Sequence, residues 1–578
     1  MADLTNREIA AIFSTVADML ELKGENIHRV LAYRRAAETL SSLARDIHAV
    51  YKENALTDLP HIGPTLAEKI AELIETGELE FYNRLKAEIP PGVVAMLEVP
   101  GLGPKRAYKF YKELGISSIE ELRAAAEAGK LRELPGIGAK MEEGILEGIK
   151  SLERRTDRVL LGVALPVATD LLERLLALDG AERGAVAGSL RRLSPTIGDI
   201  DLLIASKLPE PIMQAFVEMP EVARVLGRGP TKASVELFSG QQVDLRVLPP
   251  ERYGTLLVYF TGSKAHNVKL RELALKQGLS LNEYAFTPVD GEGEEIICAT
   301  EEEVYARLGM PWIAPELRED RGEIEAALRG ELPDLITLED IRGDLQSHTT
   351  WSDGKTSVLE MAEAARALGY KYLLITDHSY SLGVVQGLSA EDIAGQRAEI
   401  DAANAHFGGE FRVLHGVELE IRADGTLDFD DETLAGFDIV VASLHTSLRQ
   451  PREQITKRLL NAIRNPHVDI IGHPRGQLIG SREPADLDMD AILEAAAEHD
   501  VALEINASPY RLDLDDVQAR RAHELGVKLT ISTDAHRPDE LNNMRYGVAM
   551  ARRGWVNAAG VVNAWPLQKV LDWVKERG

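Results

Sequence analysis

Near the start of the chain, apolar residues fall at Ile9, Ile12, Phe13, Val16, Met19 and Leu20. That spacing is one face of a helix, and residues 1–150 as a whole read as helical. From about residue 156 the pattern changes. ERGAVAGSLRR (182–192), IGDIDLLIAS (197–206) and QQVDLRVL (241–248) are short β-rich runs separated by turn residues, so 156–250 is predicted as mixed α/β. Residues 251–317 form a smaller mixed region containing YFTGSKAHNVKLREL. Residues 318–340 begin charged and apolar-poor and read as a linker. From 341 to 578, the runs YLLITDH, FRVLHGVELEI, DIVVASLH, VDIIGHP, VALEIN and VKLTIST alternate with helical patterns. That alternation predicts a parallel βα barrel.

Composition narrows the class. The 578 residues are 45% hydrophobic, enough for several cores. No run of about 18 apolar residues occurs, so no membrane partner is expected. The start, MADLTNREIAAIF, lacks a basic n-region, an apolar core and a cleavage site, so no secretory signal is expected there. The one cysteine, Cys298, fits a reducing compartment, and the expected location is cytoplasmic. The net charge of -28 first argues against a nucleic-acid partner. It is uneven, however. Residues 1–150 carry 19 basic and 24 acidic side chains, while 341–578 carry 25 and 37. Ten of the 14 histidines also lie in 341–578, an enrichment that a metal site would produce.

Three segments of the helical region resemble one another: LPHIGPTLAEKI (59–70), VPGLGPKRAYKF (99–110) and LPGIGAKMEEGI (134–145). Glycines at such turns let backbone amides approach an anion, and the following helix N-terminus adds partial positive charge. Ile62, Gly63, Gly101, Gly103, Gly136 and Gly138 are the candidate phosphate contacts. Helix-helix turns that merely need glycine explain one copy as well; three copies favour phosphate binding. The first copy carries His61 where the others have glycine.

In IGDIDLLIA, Asp199 and Asp201 stand two residues apart on a predicted strand, so both carboxylates face one side. Asp244 lies on another predicted strand. Three carboxylates on adjacent strands suit two Mg²⁺ ions for phosphoryl transfer. Upstream, Gly188 and Ser189 form a turn that can cradle a triphosphate, followed by Arg191 and Arg192. Towards the C-terminus, His348, Asp353, His378, Glu418, His445, His473, Asp534 and His536 form a ligand set, several of them closing apolar β-runs. In a βα barrel, that end carries the chemistry. Imidazole with carboxylate suits Zn²⁺, Mn²⁺ or Fe²⁺, and a set this large suits up to three ions. His406, His415, His467, His499 and His523 lack this placement and are read as non-ligands.

These motifs carry a family resemblance. The three turns resemble helix-hairpin-helix motifs, which bind DNA through its backbone. GSLRR, GDID, VDLRV and YFTGSKAHNVKLR resemble the nucleotidyltransferase core of family-X DNA polymerases, the DNA polymerase beta family, over roughly residues 1–320. The resemblance implies that Asp199, Asp201 and Asp244 hold the metal ions and that Asp244 assists removal of the primer 3'-hydroxyl proton. It implies that Gly188, Ser189 and Arg192 hold the triphosphate. Tyr259, Phe260 and Gly262 would lie beside the incoming sugar, Asn267 at the incoming base and Arg271 at the templating strand. HRVLAYRRAA, with His28 and Tyr33, matches a 5'-phosphate-binding region. Lys69 matches a Schiff-base lysine, with Thr65 and Arg29 where the family has lysines. Residues 341–578 resemble the polymerase and histidinol phosphatase (PHP) domain, a distorted (β/α)₇ barrel with a trinuclear metal site. Its usual HxH motif reads Gln346-Ser347-His348 here, making Gln346 a weaker candidate ligand.

The resemblance implies a domain order: a helical lyase-like domain (1–85), a fingers-like helix-hairpin-helix domain (86–155), a palm (156–250), a thumb (251–317), the linker (318–340) and the PHP barrel (341–578). The expected protein is a template-directed polymerase that fills short gaps in base-excision repair. It uses deoxynucleoside triphosphates, two Mg²⁺ in the palm, and Mn²⁺ or Zn²⁺ in the barrel. The barrel is expected to act as a 3'→5' exonuclease, with apurinic-site endonuclease or 3'-phosphatase action as extensions. Gapped or nicked DNA with a 5'-phosphate is the expected partner, and the chain is read as a monomer. Two rival readings are a DNA-tethered phosphoesterase for a small phosphomonoester and a non-enzymatic repair scaffold.

Overall fold

The computed structural model describes residues 4, 6–43, 47–99, 102–153, 158–382 and 387–577. The chain divides into two compact units. One holds residues 1–158, 171–185 and 198–250, and the other 159–170, 186–197 and 251–578. The expected palm range is therefore shared between them.

In the first unit the N-terminal region is helical, as its periodicity predicts. One core runs from Ile9 to Ile149 and spans the expected boundary at 85/86. The repeated turns feed it: Leu66, Ile70, Leu73 and Ile74 form the buried face of the helix Pro64–Thr76. The same unit carries a mixed sheet. Its strands are β1 (Arg183–Val186), β2 (Ile200–Ala205), β3 (Val222–Arg228), β4 (Lys232–Leu237) and β5 (Gln242–Leu248), in the order β1-β2-β5-β4-β3. β2 and β5 run parallel, and β4 is antiparallel to β5.

In the second unit the C-terminal region is a seven-stranded parallel sheet in sequential order. Its strands are β6 (Gly343–Asp344), β7 (Tyr372–Ile375), β8 (Arg412–Glu420), β9 (Ile439–Ser443), β10 (Ile470–Gly472), β11 (Ala502–Asn506) and β12 (Leu529–Ser532). The chain beyond β6 runs beside the chain beyond β12. Ser347 pairs in parallel with Ala535, and the His348 N–H donates to the Ala535 carbonyl at 2.8 Å. These bonds nearly close the sheet into a barrel at its C-terminal end. That architecture agrees with the expected (β/α)₇ barrel.

Residues 318–340, expected to be a linker, are packed structure. They contain the helix Glu323–Arg329. Glu323 accepts from buried His266 Nδ1 at 2.7 Å, whose Nε2 lies 2.9 Å from the Tyr305 hydroxyl. Arg318 is fully buried and donates to both oxygens of Glu301, at 2.7 and 3.1 Å. Arg191 grips the same carboxylate at 2.7 and 2.8 Å, and Trp312 Nε1 adds a bond at 2.8 Å. The charged composition that resembles a linker is thus consumed in internal pairs. Burial alone would raise the Glu301 pKa, but Arg318 and Arg191 outweigh it and hold it at about 2. Stability from this depressed carboxylate is present above its ordinary value near 4.5 and is lost as pH falls toward 2. Arg318→Ala should cost about 3–5 kcal/mol at pH 7 by leaving a buried charge half-paired. Urea unfolding followed by tryptophan fluorescence checks this; a loss under about 1 kcal/mol contradicts the pairing account.

Candidate metal centres and DNA-binding turns

The three repeats share one local form. Short 3₁₀ turns at Leu56–Asp58, Met96–Glu98 and Leu131–Glu133 lead into the helices Pro64–Thr76, Pro104–Leu114 and Ala139–Glu153. Gly63 and Gly103 are N-caps without a side-chain bond, and Gly138 directly precedes the third helix. A Cβ at Gly63, Gly103, Gly136 or Gly138 would meet nothing within 4 Å. Internal packing therefore does not demand glycine there, and the space lies open to an external anion. Gly136 has φ 84°, and His61, its counterpart in the first copy, has φ 62°. Gly101 lies outside the described residues. Two predicted contacts have inward-facing side chains. Ile62 and Tyr33 have side chains buried in the core, with 3% and 4% exposed. Only backbone at Ile62 faces the turn, and Tyr33 packs against Phe13 and Phe81. His28 is exposed in the first turn of Ile27–Ser42. Lys69 Nζ stands 4.9 Å from the Phe81 ring centre, with the guanidiniums of Arg29 at 5.1 Å and Arg84 at 5.8 Å from the same centre. Three cations thus gather on one aromatic ring, while Thr65 is exposed.

In the mixed sheet, Asp201 on β2 pairs in register with Asp244 on β5. Asp199 sits on the exposed bend before β2 rather than on the strand, which begins at Ile200. Burial pushes the Asp201 pKa up to about 7, with further contributions from the charges of Asp199 and Asp244. Lys232 Nζ lies 3.7 Å from Asp244, and Gln242 Nε2 donates to it at 3.1 Å. A half-buried carboxylate raised by two like charges is short of positive charge, which fits a divalent cation.

The other predicted nucleotide contacts lie in the second unit. Gly188 (φ 60°) opens the four-residue helix Gly188–Arg191, which contains Ser189. Arg192 follows and is tied to the Thr261 carbonyl at 2.6 Å and to Glu319 at 3.0 Å. Gly262 caps Tyr253–Thr261 with φ 68°, and a Cβ there would come 3.1 Å from Arg192 Nη1. Asn267 Nδ2 donates to the Tyr259 carbonyl at 2.6 Å. Tyr259, Asn267 and Arg271 line one small pocket with Asn282, and Phe260 packs edge-on against Tyr259. Sequence reasoning missed the Glu301 hub that anchors Arg191 beside this segment.

The barrel brings its predicted ligands together most fully. Glu418, at the C-terminal end of β8, is the centre. Its oxygens lie 3.0 Å from His378 Nδ1, 3.0 Å from His473 Nε2, 3.3 Å from His445 Nε2 and 3.6 Å from His348 Nε2. Asp534 lies 3.0 Å from His348 Nε2, and Asp353 lies 3.2 Å from His536 Nε2 and 3.7 Å from His378 Nε2. Three overlapping groups result: His348, Asp353, His378 and His536; His378, Glu418 and His445; and His348, Glu418 and Asp534. Within each group the donor atoms all lie within 4.8 Å of one another. Both Glu418 oxygens, both ring nitrogens of His348 and of His473, and His378 Nδ1 are buried without a hydrogen-bond partner. Orphaned donors of this kind fit metal ions. Gln346 is fully buried with both amide atoms unpartnered, and its Oε1 would stand 3.3 Å from a Cβ at Gly472. Its side chain thus faces the β10 side of the barrel interior.

Two carboxylates that sequence reasoning missed brace a ligand and the loop between His348 and Asp353. Glu420, two positions after Glu418 on the same strand face, takes His445 Nδ1 at 2.8 Å and the Thr446 hydroxyl at 2.7 Å. That bond aims Nε2 of His445 at the centre. Asp377 accepts from the Thr349 N–H and hydroxyl, the Ser352 hydroxyl and Gln396 Nε2, all within 2.7 Å. The signal for both was a carboxylate adjacent to, or in alternation with, a predicted ligand. His415 is buried and bonds Gln396, and none of the five histidines read as non-ligands belongs to a metal-holding group among the described residues.

The charges interlock. Burial would raise Glu418, but His445 and His378 hold it well below the usual carboxylate range. Burial would lower His445 and His536, yet their carboxylate partners push both up to about 9. Metal ligation needs neutral imidazole. Metal loading at pH 7 should therefore release about two protons, from His445 and His536. Titration calorimetry in buffers of different ionisation enthalpy measures the number; zero release would contradict this ligand assignment.

Family models match several segments of the chain. Models described as a helix-hairpin-helix domain and a SAM-like helix-hairpin-helix tandem match residues 4–79 and 93–151. A DNA polymerase beta thumb matches 256–319, and a PHP domain matches 344–508. The chain is 42% identical over 571 residues to the DNA polymerase/3'-5' exonuclease PolX of Bacillus subtilis, covering 98% of this chain and 99% of that one. A probable phosphatase of Thermoanaerobacter sp. is 28% identical over 247 residues, covering 40% of this chain and 95% of its own. A probable phosphatase of Caldanaerobacter subterraneus is 32% identical over 213 residues, covering 33% and 75%.

Proposed function

Because this chain belongs to the bacterial family-X DNA polymerases that carry a PHP domain, we propose that it is a gap-filling repair polymerase that also trims 3' ends. The polymerase reading is supported by Asp201, a half-buried carboxylate registered opposite Asp244 whose pKa is raised by desolvation and then by its acidic neighbours. When bound there, two Mg²⁺ ions would stabilise the attacking and leaving oxygens of nucleotidyl transfer. Asp199, Asp201 and Asp244 would hold them, and Asp244 would accept the proton of the primer 3'-hydroxyl. Gly188, Ser189 and Arg192 would hold the triphosphate; Tyr259, Asn267 and Arg271 would line the nascent base pair.

The trimming reading rests on the Glu418-centred ligand set. Mn²⁺ or Zn²⁺ bound there would activate water for attack on a phosphodiester. His348, Asp353, His378, Glu418, His445, His473, Asp534 and His536 would hold the ions, with Gln346 beside them. At the N-terminus, the open glycine turns would take backbone phosphates, and Lys69, Arg29 and Arg84 around Phe81 would suit a 5'-phosphate. DNA affinity would then be modest and salt-sensitive.

The test is a one-nucleotide gapped duplex with a 5'-phosphate, incubated with Mg²⁺ or Mn²⁺ and with or without the complementary deoxynucleotide. The expected result is templated single-nucleotide extension, and shortening of the same strand in Mn²⁺ without nucleotide. Failure to extend any gapped substrate would overturn the polymerase reading.

A further inference from the structure

Arg511 lies in the loop after β11. Its Nε stands 3.6 Å from Asp534 Oδ2, beyond hydrogen-bond distance, and its charge reaches His473. A guanidinium beside a site meant for cations weakens their binding unless an anion is shared between them. The side chain is 17% exposed, and its Nη1 is buried with no partner. Leaving a guanidinium nitrogen buried and unpaired is costly. Arg482 is a second guanidinium nearby: burial, and next Arg511, lower its pKa. Arg482 is itself tied to the Gly476 carbonyl at 2.7 Å, so it leaves the anion-facing role to Arg511.

The loop is built to hold this arrangement. Leu512, the next residue, has φ 45°, a left-handed backbone that leucine rarely adopts. Such strain persists only where surrounding bonds over-determine it. The Asn506 N–H donates to the Asp513 carbonyl at 2.6 Å, the Leu514 N–H to the Glu504 carbonyl at 3.0 Å, and Gln477 Nε2 to the Arg511 carbonyl at 2.7 Å. Asn506 Nδ2 also donates to Asp534 Oδ2 at 3.1 Å, fixing the carboxylate that faces Arg511.

We propose that Arg511 is a substrate-binding residue of the barrel site. It takes a non-bridging oxygen of the phosphodiester held at the metal centre and stabilises the negative charge that builds there. In the reaction, a water oxygen bonds to phosphorus, the P–O3' bond breaks, and the departing 3' oxygen receives a proton. A guanidinium fork suits this task because it offers parallel N–H donors to phosphate oxygens. The proposal rests on the phosphodiesterase reading of the barrel, so its test keeps the two apart.

The full chain, loaded with Mn²⁺, is assayed on the p-nitrophenyl ester of thymidine 5'-monophosphate. Thymidine 5'-monophosphate binding is measured separately by calorimetry. Arg511→Ala should lower kcat/KM about 100-fold and weaken nucleotide binding about tenfold. Arg511→Lys should recover part of both. Metal content by elemental analysis and Tm should match the parent protein. Unchanged kcat/KM and nucleotide affinity in Arg511→Ala would overturn the proposal. Loss of metal in step with activity would also overturn it, assigning Arg511 to the orientation of Asp534. If the parent protein fails to turn over the ester, the phosphodiesterase reading fails, while the nucleotide titration still decides whether Arg511 binds phosphate.

Discussion

Asp201→Asn should lower nucleotide incorporation on a gapped duplex by about 10³-fold or more while leaving Mn²⁺-dependent shortening of a 3' end within about twofold. The magnitude follows from losing one ligand of a two-ion centre, where several kcal/mol of transition-state stabilisation is at stake. The selectivity follows from placement: Asp201 lies on β2 in the first compact unit, and the barrel ligands lie in the second. The same carboxylate predicts a pH effect. Its pKa is raised to about 7, by burial first, so below that pH a proton competes with the divalent ion. The Mg²⁺ concentration needed for half-maximal extension should therefore rise as pH drops from 8 to 6. A flat requirement across that range would contradict the assigned environment of Asp201.

Glu418→Gln should have the opposite selectivity. Glu418 is the group nearest to four imidazoles at once and belongs to two of the three metal-holding groups. Replacing its charge removes the carboxylate shared by two of those groups. Shortening of a labelled 3' end should fall by about 10³-fold or more, and bound Mn²⁺ should drop with it. Gapped-duplex extension should stay within about twofold. Retention of full metal content with full nuclease activity would sink the centre as drawn.

The ligand chemistry of the barrel was legible because several of the predicted residues close apolar runs, and parallel β-strands deliver such residues to one rim. Glu418 stood out as a ligand, but its central position did not. That depends on barrel closure through Ser347 and Ala535, which no local pattern encodes. Glu420 and Asp377 were missed although each lies beside a predicted ligand, because the sequence does not show which partners a carboxylate takes. The helix-hairpin-helix turns were legible because a glycine pattern recurred three times. The burial of the Tyr33 and Ile62 side chains was not legible, because motif membership does not reveal which side chain turns inward. The segment 318–340 was read as a linker from its charge. Arg318, Glu323 and their partners show why that failed: buried ion pairs and solvated tethers have the same composition. Net charge misled in the same way, since it counts Asp353, Glu418, Glu420 and Asp534 as free acids although each faces an imidazole.

On this reading, one chain carries two separate metal-dependent centres that act in opposite directions on a 3' end. The most direct measurement follows one labelled primer strand in a gapped duplex with both Mg²⁺ and Mn²⁺ present. Extension and shortening are scored together for the parent protein, Asp201→Asn and Glu418→Gln. The account predicts a crossed result: Asp201→Asn only shortens the strand, and Glu418→Gln only extends it. Loss of both activities in either folded variant would contradict it.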